Sequence, residues 1–160
     1  MDESNLIINK VIYEKDEVFD KDVYPFNIEV IKNLDEISFN KPVTFFIGEN
    51  GVGKSTLIEA LAVALKLNPE GGSQDFIFST NNTHSPLYHH FRIISSGKVA
   101  KTKFFLRAES FYNFSSEVEK IGEEVDSRIF KSYGGNLHNC SHGESFIKLV
   151  QNRFTDNGLY

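Results

Sequence analysis

The segment that most restricts this chain is Gly48-Glu49-Asn50-Gly51-Val52-Gly53-Lys54-Ser55-Thr56. It follows Pro42-Val43-Thr44-Phe45-Phe46-Ile47, an uncharged β-branched and aromatic run that predicts a strand buried on both faces. It leads into Leu57 to Leu67, rich in Ala and Leu without a breaker, which predicts a buried helix. Lys66, Asn68, Pro69 and Gly71-Gly72 supply the stop signals of that helix. Strand, glycine-rich turn and helix in this order are the setting in which Gly-x-x-x-x-Gly-Lys-Ser forms a phosphate-binding loop. Glycines at 48, 51 and 53 let the backbone come close to phosphate oxygens where a side chain would collide. The helix N-terminus behind them adds a favourable dipole. Lys54 is expected at the β- and γ-phosphates, Ser55 at a phosphate-bound Mg²⁺, and Thr56 toward the α-phosphate. The pattern predicts a nucleoside triphosphate site, with Lys54 also stabilising charge on the transferring phosphoryl group.

The rest of the chain can build a core around that site. Its 160 residues are one domain's worth, and 40% hydrophobic and 13% aromatic content argues against disorder. A single cysteine excludes an internal disulfide and a cysteine-rich zinc module. An acidic start and the lack of a long apolar run predict neither a signal peptide nor a membrane span, hence a cytoplasmic protein. Strands are expected at 6–8, 11–13 and 27–31, and irregular structure over the polar stretch 70–90. Two strands joined at Ser96-Gly97 are expected within 91–108. Ser116 and Glu119 have capping-box spacing, with Val118, Ile121, Val125 and Ile129 following at helical intervals. Arg92, Lys98, Lys101, Lys103 and Arg107 form a basic run without an acid, a candidate nucleic-acid contact or a solvated strand edge.

A second anion-binding device is legible at Ser141-His142-Gly143-Glu144-Ser145. Ser141 and Glu144 have the spacing of a capping box, and Phe146, Ile147, Val150 and Phe154 are expected on the buried side of the helix that follows. Together the two segments resemble the Walker A and signature motifs of ABC-type ATPases, Gly-Glu-Asn-Gly being the loop form of soluble members. Tyr24-Pro25-Phe26, Phe105 to Phe111, Tyr133-Gly134-Gly135 and Leu137-His138 also resemble a bacterial group of AAA-family or ABC-type ATPases.

That resemblance implies an α/β P-loop NTPase core with an N-terminal antiparallel β portion. It implies one nucleotide-binding domain over 1–160, with 69–135 a variable insertion between the two motifs. It implies ATP and Mg²⁺ as ligands, and a homodimer or partner chain in which Ser141, His142, Gly143, Glu144 and Ser145 act in trans on the other copy's ATP. Phe26, or Tyr24, falls where an aromatic stacks on adenine, and both also have a reading as core residues. Glu109 falls near the Q-loop glutamine, with a role beside Mg²⁺ or water. Family members continue into an apolar strand ending in Asp-Glu. Asn157-Gly158-Leu159-Tyr160 resembles its beginning, and no Walker B Asp or catalytic Glu is assigned within 1–160. ATP binding with poor hydrolysis is therefore the expectation for residues 1–160. The rival readings are a non-catalytic regulatory module, a DNA-associated ATPase and a transporter's nucleotide-binding subunit. His138, Cys140 and His142 at alternate positions lack a fourth zinc ligand. His84, His89 and His90 read as loop residues.

Overall fold

Strand β1 (Ile8–Tyr13) organises the first of two sheets. It pairs antiparallel with β2 (Glu36–Ser38) on one side and β4 (Phe91–Ser95) on the other. A register shift between Ile8 and Lys10 lets Ile8, Val11 and Tyr13 all face the core although Ile8 is out of alternation with the others. The sequence therefore shows two short apolar runs, and the fold has one bulged strand. The computed structural model describes residues 6–15, 20–69, 71–73, 85–109, 111–124 and 126–160. The chain divides into two units, Met1–Pro69 with Thr80–Val99, and Glu70–Ser79 with Ala100–Tyr160. Both are mixtures of helix and small sheet.

In the first unit, helix α2 (Lys54–Ala64) packs on β4 and on a 3-10 turn at Pro86–His90. Its Leu57, Ala60 and Leu61 are buried with Ile31, Leu67, Leu87 and Phe91. Two expectations fail here. Residues 27–31 are not a strand: Glu29–Lys32 form the single helical turn α1, with Ile31 fully buried. Ile28 and Ile31 suit a helical turn as well as a strand, and short apolar runs do not separate the two periods. The Asn33 side chain donates to Glu29 at 2.7 Å, four residues back, and favours the turn.

The second failure is at 42–47, which joins no ladder among the described residues. Phe45 is 82% and Ile47 91% exposed, the reverse of a strand covered on both faces. Apolar composition says what a segment can bury, not which neighbour arrives to bury it. The polar stretch expected to be irregular falls largely outside the described residues, at 70 and 74–84.

The second unit holds the other sheet. In it β5 (Thr102–Phe105) pairs antiparallel with β3 (Gly72–Ser73) and parallel with β6 (Gly158–Leu159). The Ser96-Gly97 turn forms, with the Lys98 amide donating to Ser96 Oγ at 3.3 Å, but the expected hairpin does not. The Ser96 amide donates to Ile7, so β4 stays on β1, and β5 belongs to the second sheet. Helix α3 (Phe111–Glu124) starts six residues earlier than the Ser116 cap predicts. Phe111, Phe114 and Val118 are one buried stripe, and Ser116 lies inside the helix, donating to the Tyr112 carbonyl. Ile129 belongs to a separate helix, α4 (Arg128–Ser132), and Val125 falls outside the described residues. Gly122 lets the two helices meet: a Cβ there would stand 2.4 Å from the Phe130 ring.

Helix α5 (His142–Arg153) forms where expected, but Ile147 and Val150 are 58% and 40% exposed rather than on its buried side. Its Leu149 is fully buried with Phe104, Phe111, Phe114, Val118, Tyr133 and Leu137. Arg153 lies over the Tyr133 ring at 4.7 Å.

Candidate functional site

The loop into α2 has the backbone its sequence requires. Gly51 and Gly53 have φ of 83° and 103°, conformations that cost little only for glycine. A Cβ at Gly53 would lie 2.9 Å from Ile28 Cγ2 and 3.1 Å from Val30 Cγ1, so α1 packs directly behind the turn. At Gly51 a Cβ would meet nothing within 4 Å, so the loop is open on that side. The Lys54 ammonium donates to the Gly48 carbonyl at 2.8 Å and the Glu49 carbonyl at 2.6 Å. It closes the loop on itself. An ammonium has three donors, so two go to the loop and one is left for a ligand oxygen.

Ser55 lies in the first turn of α2 with an exposed side chain. A lone hydroxyl fits Mg²⁺, which keeps most of its shell as water and phosphate oxygen. Thr56 follows and meets the Tyr24 hydroxyl at 3.2 Å. The two upstream aromatics separate here. Phe26 is buried at 8% exposure, edge-on to His90 at 5.2 Å, whereas Tyr24 is 62% exposed.

In the second unit the Ser141–Ser145 segment opens α5 with a complete capping box. The Ser141 amide donates to Glu144 Oε2 at 2.9 Å and the Ser141 hydroxyl to the same oxygen at 2.7 Å. The Glu144 amide returns to Ser141 Oγ at 3.4 Å. The His142 ring stands edge-on to Phe111 and Phe146. A Cβ at Gly143 would meet nothing within 4 Å. The hydrogen bond from the Ser141 hydroxyl, then that from its amide, holds the Glu144 carboxyl below its ordinary value of 4.5. A carboxyl lowered by folding contributes stability above its ordinary value and loses it as pH falls through the lowered one. Acidification below about pH 4.5 should therefore fray the first turn of α5, seen as faster amide exchange there. Glu144→Gln should remove that dependence. Ser141→Ala should cost about 0.5–2 kcal/mol by urea unfolding at neutral pH.

Glu109 is exposed, its carboxylate 3.7 Å from Arg107. Arg92 pairs with Glu14, so Arg92 and Arg107 of the basic run both face acids of the fold. His138, Cys140 and His142 do not converge, and no metal-binding group of His, Cys, Asp or Glu occurs among the described residues. His138 Nε2 meets Ser116 Oγ at 3.1 Å, and Lys148 donates to Cys140 Sγ at 2.9 Å. His90 is not a loop histidine but packs between Phe26 and Tyr13. Sequence reasoning missed Lys148, whose only signal was its place four residues after Glu144. Among the described residues no helix is long and apolar enough to cross a membrane.

No curated protein and no solved structure matches the chain. A family model described as an AAA domain matches residues 26–154, well over half the chain and spanning both the loop and the α5 cap. The chain thus belongs to the AAA domain family, a family of AAA-type ATPases whose members are nucleotide-binding proteins.

Proposed function

We propose that this chain binds Mg-ATP at Gly48–Thr56 and that ATP-dependent pairing of two ABC-type domains is its working step. The loop closed on Lys54 in front of α2 carries the reading: the Gly48 and Glu49 carbonyls are engaged and the loop is open at Gly51. Glu49, Asn50, Gly51, Val52 and Gly53 would wrap the phosphates, Lys54 would neutralise the β- and γ-oxygens, and Ser55 would hold Mg²⁺. Tyr24 is the better placed of the two aromatics for contact with bound nucleotide, because Phe26 is committed to the core.

In this reading residues 1–160 form one nucleotide-binding domain of the ABC type, with 69–135 as its variable part. The exposed first turn of α5, from Ser141 to Glu144, is offered to the γ-phosphate held by another copy. Ser145 is buried and supports the turn by donating to the His142 carbonyl at 2.8 Å. Glu109, on an exposed turn, is assigned to the surroundings of Mg²⁺ and water. Two copies joined by shared ATP would make a switch, bringing together whatever each carries.

Sedimentation velocity tests this. With saturating Mg-ATP the chain should move from monomer to dimer, and Ser141→Arg should bind ATP and stay monomeric. A chain that binds ATP with no change in mass would overturn the pairing.

A further inference from the structure

The contact between Tyr24 and Thr56 joins residues 32 apart, and nothing in the loop pattern requires it. Tyr24 sits on a firm base: Pro25 and Phe26 are buried beside it, and the turn is tied by the Asn27 amide to Val23 and the Ile28 amide to Pro25. Yet its own ring is exposed, so packing alone does not hold the hydroxyl 3.2 Å from Thr56 Oγ1. A threonine hydroxyl has one proton and two lone pairs, and a phenol can donate or accept. If Tyr24 donates, the Thr56 proton stays available for a third group. Thr56 lies in the first turn of α2, two residues past Lys54, where a phosphate bound by the loop would supply that third group.

We propose that Tyr24 is a positioning residue for the phosphates, acting through Thr56 in a directional chain from phenol to threonine to phosphate oxygen. The inference rests on the Mg-ATP reading above and assigns Tyr24 a role beyond contact with the base. Each donor in such a chain polarises the next, and the phenol fixes the threonine rotamer before the ligand arrives. The effect must therefore appear with a ligand that carries no base.

The test is titration calorimetry with Mg-ATP and with inorganic tripolyphosphate, on the unsubstituted chain, Tyr24→Phe, Thr56→Val and the double variant. Tyr24→Phe keeps the ring and should weaken both ligands by the same factor, about three- to tenfold, the worth of one neutral hydrogen bond. In the Thr56→Val background it should add nothing, whereas in Thr56→Ser it should act as in the unsubstituted chain. Two results would overturn the proposal: unchanged tripolyphosphate binding, whether or not ATP binding weakens, or independent effects in the double variant. Each leaves the phosphate loop standing. Failure of the unsubstituted chain to bind either ligand would instead remove the Mg-ATP reading, and this inference with it.

Discussion

Lys54→Ala should weaken Mg-ATP binding by two orders of magnitude or more. The one donor left on the ammonium makes a charge-assisted hydrogen bond worth about 1.5–3 kcal/mol, and its charge attracts the neighbouring phosphate as well. The substitution also frees the Gly48 and Glu49 carbonyls, which hold the loop closed on Lys54. Both residues are exposed, so water can take over those carbonyls and the fold should survive. A fluorescent ATP analogue displaced by ATP would measure the loss, with circular dichroism unchanged. Lys54→Arg should be a poor substitute, because a planar fork does not fit a position built around a compact charge.

Leu149→Ala should have the largest effect on stability. Leu149 is fully buried among Phe104, Phe111, Phe114 and Tyr133, and a Leu→Ala change at such a site costs about 2–5 kcal/mol. Domains have only about 5–15 kcal/mol in total. The urea midpoint should fall with little change in slope. Ile147, two residues away on the same helix, is 58% exposed, and Ile147→Ala should stay within about 0.5 kcal/mol. Equal losses at both positions would contradict the assigned face of α5.

The parts of the fold that could be read from sequence are those decided within a few residues. The glycines before Lys54 and the Ser141–Glu144 box specify turn and cap by local chemistry; α5 forms where expected, and α2 starts and ends three residues before the expected 57–67. What failed depends on distant partners. Phe45 and Ile47 have strand chemistry but no ladder among the described residues. The Ser96-Gly97 turn forms, yet β4 and β5 pair elsewhere, because a turn fixes direction and not which sheet receives each strand. Ser116 and Glu119 kept the spacing of a cap while the buried stripe through Phe111 and Phe114 carried the helix past them. The bond between Tyr24 and Thr56 had no signal at all, since hydroxyl partners 32 residues apart leave no period to detect.

The most direct measurement is titration calorimetry of the 160-residue chain with ATP in the presence of Mg²⁺, beside Lys54→Ala. One saturable site per chain is expected, weakened when Mg²⁺ is chelated and lost in the variant. No saturable binding, or binding that Lys54→Ala leaves intact, would contradict the Mg-ATP reading.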